Sequence, residues 1–271
     1  MDINLVLQNF YNETNRPDED IDLAKAALAF ARTEYPDLDI EEYLNALDTM
    51  AEKVRERLIE ERYPLKVIKI INTYLFADLG FEGNTRDYYD PRNSFLNDVI
   101  DRRTGIPITL SIIYLEIAKR IDFPMVGIGM PGHFIIRPNF ENAGIFVDAF
   151  NQGEILFEQD CEERLQQVYQ QPVKLEPRFL APVSNREILV RMLTNLKMIY
   201  LHQREFNKAL VTIDGILILV PDNPNELRDR GLLYYELNEW SKAVPDLESY
   251  LTVFPNAEDA LMIRILLQKI R

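Results

Sequence analysis

The stretch GIPITLSIIYLEIAKRIDFP, residues 105–124, decides how the chain folds. Pro107 suits the first turn of a helix, where its missing N–H has no intrahelical partner to lose. From Ile108 to Ile121 the residues are apolar on almost every side, which predicts a helix crossing the centre of a domain. Beyond Pro124 the pattern is that of strands: Met125 to Gly129, Phe134 to Ile136, Gly144 to Asp148 and, after the turn Asn151-Gln152-Gly153, Glu154 to Leu156. Short strands with turns between them predict a small antiparallel sheet.

Upstream the pattern is helical. Between Ile21 and Thr33 apolar residues recur at three- and four-residue steps until Tyr35-Pro36 closes the run. Asp39 with Glu42 resembles a capping box and opens a second amphipathic helix, through Tyr43, Leu47, Met50 and Val54 to about Glu61. A third follows Pro64, with Val67, Ile68, Ile70, Ile71 and Leu75 on a nearly continuous apolar surface. Turn-forming residues between Gly80 and Ser94 predict a long irregular loop, with a helix beginning near Asn93. Helices followed by strands make this part an α+β domain.

The last third repeats itself. Shifting Tyr200, Phe206, Lys208, Ala209 and Pro221 by 34 residues lands on Tyr234, Trp240, Lys242, Ala243 and Pro255. That period, with an aromatic before Lys-Ala and a proline after the second helix, is that of helix-turn-helix tetratricopeptide units. Two units are expected, about 188–221 and 222–255, with a capping helix over 257–271. Tyr200, Tyr234, Tyr235 and Trp240 are expected mostly in the core between repeat helices. The boundary is placed so that 1–182 form the α+β domain and 183–271 the all-α repeat domain.

Composition narrows the function. With 47% hydrophobic and 27% charged residues the chain is an ordinary globular protein, able to bury a core. A net charge of −14, with no dense basic block, argues against a nucleic-acid partner. Residues 1–60 hold 15 acids against 6 bases, read as solvated helix faces. The N-terminus lacks the basic start and apolar run of a secretory signal, and no stretch is long and apolar enough to span a membrane. The single cysteine, Cys161, suits a reducing cytoplasm. With two histidines besides, nothing implies a metal or a cofactor.

Any chemistry lies between Gly105 and Asp148. Cysteine hydrolases and acyltransferases need a thiol at a helix start, a histidine to exchange protons and an aspartate to orient it. A helix start at Pro107, His133 beside a strand and Asp148 at the end of the next give that layout without the thiol. Thr109 and Ser111, further into the helix, are read as turned away from Pro107, and an alcohol needs a well-aligned base. Cys161 stands in Gln159-Asp160-Cys161-Glu162-Glu163, where carboxylates would raise its pKa, as fits an ordinary structural cysteine. His133 has two readings, a buried partner of Asp148 tying two strands together or the wall of a cleft. Arg137 either joins a charge network, with Asp148 or with an acid of the first helices, or lies on the surface. Tyr88, Tyr89, Asp90 and Asn93 either line the cleft or cover the central helix.

The runs DRRTGIPITLSIIYLEIAKRIDFP, PGHFIIRP and FVDAFNQGEIL, with YYDPRNSFLNDVI upstream, resemble the SirB1 family. That family has a transglutaminase-like, papain-like N-terminal domain followed by tetratricopeptide repeats, and the resemblance covers essentially the whole chain. In active transglutaminase-like enzymes the nucleophile stands two residues after the glycine that opens the central helix. With Gly105 as that glycine, Pro107 takes the nucleophile's place, while His133 and Asp148 match the family histidine and aspartate. The resemblance therefore implies the fold but not thiol catalysis.

The expectation is a pseudoenzyme-like, cytoplasmic protein-interaction protein with vestigial triad positions Pro107, His133 and Asp148, and Tyr89, Asn93, Thr109, Ser111 and Arg137 as cleft residues. Its partner would be a protein or peptide held in the repeat groove or the vestigial cleft. The alternative is a peptidase, amidase or acyltransferase of the same class with an atypical nucleophile. Oligomeric state has no signature in the sequence.

Overall fold

The computed structural model describes residues 2–58, 63–140 and 143–270. They divide into two compact units, Met1–Met192 and Leu193–Arg271. The first unit begins with α1 (Ile3–Thr14), α2 (Leu23–Ala31) and α3 (Ile40–Arg55). Aspartates start all three: Asp2 accepts from the Asn4 amide, Asp22 from Lys25 and Asp39 from Glu41, each satisfying a donor the helix cannot pair itself. The cap at Asp39 thus forms, with Glu41 as the amide it holds. The expected end of this helix near Glu61 lies outside the described residues; within them α3 stops at Arg55. Helix α1 is a helix that periodicity did not single out, because only Val6, Phe10 and Thr14 are buried along it.

Helix α4 (Pro64–Asn72) continues as a π-helical turn, Thr73–Asp78. Two short strands, β1 (Glu82–Gly83) and β2 (Thr104–Gly105), then pair in parallel and bracket the expected irregular loop, from which α5 (Leu96–Arg102) emerges. The central helix α6 (Pro107–Arg120) is buried at every residue from Pro107 to Ala118, as its all-round apolarity requires. It packs against α2 and α3 and, from another side, against β3 (Met125–Ile128) and β4 (Ile135–Pro138).

The sheet continues through β5 (Phe146–Asp148) and β6 (Glu154–Leu156), with order β6-β5-β4-β3-β7 and every pairing antiparallel. Its last strand, β7 (Pro182–Val183), pairs with Gly127 and Ile128 and had no mark in the sequence, since two residues show no periodicity. Between β6 and β7 runs α7 (Glu158–Tyr169), whose buried Cys161 and Leu165 close a cluster with Ile128, Ile135, Phe146 and Leu156 of the sheet. Burying each of the larger side chains contributes about 1.5–3 kcal/mol, which fastens α7 across the sheet. Helix α8 (Asn185–Gln203) starts in this unit.

The second unit comprises the end of α8 with α9 (Phe206–Leu219), α10 (Pro224–Glu236), α11 (Trp240–Val253) and α12 (Ala260–Ile270). The 34-residue period is visible in atomic detail. Lys208 Nζ stands 5.6 Å over the Tyr200 ring and Lys242 Nζ 5.3 Å over Tyr234; Arg204 and Asn238 both turn the chain through the left-handed region at φ 60° and 61°. Ala209 and Ala243 are fully buried. Trp240 departs from expectation: it is 47% exposed, because at the first position of α11 its ring lies outside the interhelical core. Among the described residues no helix is long and apolar enough to cross a membrane.

Candidate active-site remnant

Three elements place the site: the start of α6, the turn between β3 and β4, and the end of β5. Pairing of β1 with β2 fixes the approach to α6, with the Asn84 amide donating to the Gly105 carbonyl at 2.8 Å. Thr109 then pins the first turn, its hydroxyl accepting from the Ile106 amide at 3.2 Å and donating to the Asn93 carbonyl at 2.7 Å. Pro107 is therefore held at the first helical position, where a thiol would feel the positive end of the helix dipole.

His133 sits on a tight turn. Gly132 has φ +68°, and a Cβ there would come within 2.9 Å of the Val168 methyls, so α7 presses directly on the turn. From the other side Arg191 donates to the carbonyl of His133 at 2.7 Å and of Met130 at 3.2 Å. The backbone of His133 is thus fixed twice.

Asp148, fully buried, is the electrostatic centre. One oxygen accepts from the amides of Phe150 and Asn151 at 3.0 and 3.2 Å; the other accepts from Asn151 Nδ2 at 2.7 Å and meets His133 Nε2 at 2.7 Å and the Arg164 guanidinium. Burial alone would raise this carboxyl, but the hydrogen bond and charge of His133, the Asn151 amide and the charge of Arg164 hold it at about 2. It is an anion at any physiological pH. Since Nε2 of His133 is committed to Asp148, Nδ1 remains for a reacting partner, and the 15% exposure of the side chain opens it onto a cleft of about 720 Å³. Pro107 lines the same cleft, as do Tyr88 and Phe150 and, from α7, Asp160, Glu163 and Arg164.

Of Tyr89, Asn93, Thr109, Ser111 and Arg137 none lines this space, whereas Tyr88, which the sequence offered for either the cleft or the cover of the central helix, does. Asn93, Thr109 and Ser111 are fully buried. Asn93 binds the loop together, receiving from Asn84 Nδ2 at 3.0 Å and donating to the Asp87 carbonyl at 2.8 Å. Ser111, four residues and so one turn after Pro107, shares its face rather than turning away; even so its hydroxyl is buried without a hydrogen-bond partner among the described residues. Tyr89 is 65% exposed, and the tyrosine in the cleft is its neighbour Tyr88. Arg137 donates to the Pro138 carbonyl at 2.9 Å and takes no part in the Asp148 network.

The guanidinium that joins Asp148 is Arg164 of α7, which the sequence reading passed over. A signal existed: Cys161, Leu165 and Val168 recur at helical steps and would have placed Arg164 beside the apolar face. Cys161 is a core residue, and burial, with smaller contributions from Asp160 and Glu158, pushes its thiol up to about 12.

Comparison with known proteins follows this division. A family described as the transglutaminase-like superfamily matches residues 41–194, and one described as tetratricopeptide repeat matches 196–268. A UPF0162 protein of Xylella fastidiosa is 38% identical over 96% of this chain and 94% of its own length. Protein SirB1 of Salmonella typhimurium is 27% identical over 86% of each chain. The human F-box only protein 21 is 30% identical over 68% of this chain and 30% of its own, longer sequence.

Proposed function

Because the chain belongs to the transglutaminase-like superfamily, among the SirB1 and UPF0162 proteins, and carries tetratricopeptide repeats, we propose that it is a non-catalytic protein-interaction protein built on a vestigial thiol-enzyme site. The observation that carries this reading is Pro107, standing beside the His133–Asp148 pair where a nucleophile would be needed. Ser111, the hydroxyl that shares its helical face, is sealed in the core, which speaks against an alcohol taking the thiol's part. Arg164 supports the reading further. Its guanidinium meets the same Asp148 oxygen as His133 Nε2, so the histidine shares that aspartate with a permanent cation. The repeats supply a second surface of the kind that takes peptides or helices without chemistry. The buried, unreactive Cys161 fits a reducing, cytoplasmic setting.

The test is incubation of the purified full chain with a peptide library and with a thiol-directed activity probe, alongside His133→Ala. No turnover and no labelling in either protein is expected. Turnover in the parent that His133→Ala abolishes would overturn the reading in favour of a peptidase, amidase or acyltransferase.

A further inference from the structure

The charges around the cleft do not balance. Arg164 is the one Lys or Arg lining it among the described residues, and its guanidinium is spent inward on Asp148 and on Glu154. Asp160 and Glu163, three residues apart on α7, have no cation partner among the described residues: Asp160 accepts from the Phe157 amide at 2.8 Å and Glu163 from Gln159 Nε2 at 3.3 Å, both neutral donors. Aromatic rings line the same cleft. The Tyr88 ring meets Phe150 edge-on at 6.1 Å and Tyr89 at 5.4 Å, and Tyr88 is 38% exposed. Close approach of β1 holds these rings in place, since a Cβ on Gly83 would lie 2.6 Å from the Phe150 ring.

Aromatic rings and carboxylates without a cation partner in one cleft are the chemistry that selects a positive charge, through the ring quadrupole and through ion pairing. Val168, 46% exposed, adds apolar surface for the stem of a long side chain whose charged end would reach the acids. The cleft volume of about 720 Å³ exceeds what one side chain fills, leaving space for the flanking backbone. The −14 net charge of the chain draws a cation in from a distance. We propose that this cleft receives a lysine or arginine side chain from an extended segment of a partner protein. The inference rests on the non-catalytic reading for the absence of chemistry after binding, but not for the binding itself.

The experiment uses the ¹⁵N-labelled full chain titrated with acetyl-Ala-Gly-Xaa-Gly-Ala-amide, where Xaa is Lys, Arg, norleucine, Nε-acetyl-lysine or Glu, and mass spectrometry of the recovered peptides. Lys and Arg peptides are expected to shift the amides of Phe150, Asn151, Glu163 and Gln167 and to bind roughly fivefold or more tightly than norleucine, with Glu weakest. Glu163→Gln, an exposed change that leaves the helix cap alone, should weaken the Lys peptide roughly threefold. Tyr88→Leu should bring the Lys and acetyl-lysine peptides closer to equal affinity. Equal binding of Lys and norleucine, or no shift at these amides with any peptide, overturns the inference and leaves the non-catalytic reading standing. Cleavage or acylation of a bound Lys peptide overturns the non-catalytic reading and leaves the cation site standing.

Discussion

Asp148 in the first unit and Glu226 in the second are both buried carboxylates in contact with a cation, yet their surroundings differ in kind. Glu226 has one strong partner, Lys197, at 2.7 Å, itself only 4% exposed and also 3.0 Å from Asp229. The pair is sealed between α8 and α10 and serves the stacking of repeats. Asp148 accepts from two backbone amides and three side chains, and all three of those residues, His133, Asn151 and Arg164, line a solvent cleft. A purely structural acid needs no such surplus. On the proposed reading, that surplus is the scaffold of a site that held a histidine in one orientation for a nucleophile now replaced by Pro107.

Removing one partner separates the two most strongly. Lys197→Met leaves Glu226 buried without its cation and should cost about 3–5 kcal/mol, read in urea by fluorescence of Trp240, the single tryptophan, which lies in the same unit. Adding Glu226→Leu should restore most of that loss. A cost below about 1 kcal/mol for the single change would erase the contrast.

At Asp148 the whole network depends on the acid. Asp148→Asn should cost about 2–3 kcal/mol, seen as faster amide hydrogen exchange in β4 and β5. The pH dependence has a definite sign. Because the folded carboxyl is held at about 2, below its usual 3.8, it binds fewer protons than in the unfolded chain. Its contribution of about 2 kcal/mol is complete above about pH 4 and fades as pH falls through about 2. The asparagine variant should lose that acid-limb slope, and an unchanged slope would show that Asp148 is not its source.

His133→Ala should have the smallest effect, about 1 kcal/mol, since Asp148 keeps four other donors. A loss as large as that of Asp148→Asn would make His133 a plain core residue and remove the distinction from Glu226.

The repeats and the central helix were legible in the sequence because their signals are local and redundant: five positions recur at one spacing, and Pro107 to Ala118 are buried without exception. The site was legible only where motif residues stand beside elements of clear pattern, at Pro107, His133 and Asp148. Arg164 was missed because the acids and amides that dominate α7 mask the short apolar recurrence of Cys161, Leu165 and Val168 beside which it stands. Strand β7 is two residues joined to β3 across more than fifty positions of chain. Thr109 and Asn93 were expected at the cleft as polar residues near a helix start, but each spends its polar atoms bracing the loop against α6. Which of two adjacent tyrosines, Tyr88 or Tyr89, turns inward depends on the ring of Phe150, and no local pattern carries that.

The central claim, that Pro107 occupies an emptied thiol position, is tested most directly by Pro107→Cys with alkylation by iodoacetamide followed against pH. Cys161 stays silent in this assay, since its buried thiol is pushed up to about 12. The account predicts that the introduced thiol reacts with a midpoint well below the ordinary value of about 8.5, and that adding His133→Ala returns it towards that value. A midpoint at the ordinary value, unmoved by His133→Ala, would contradict it.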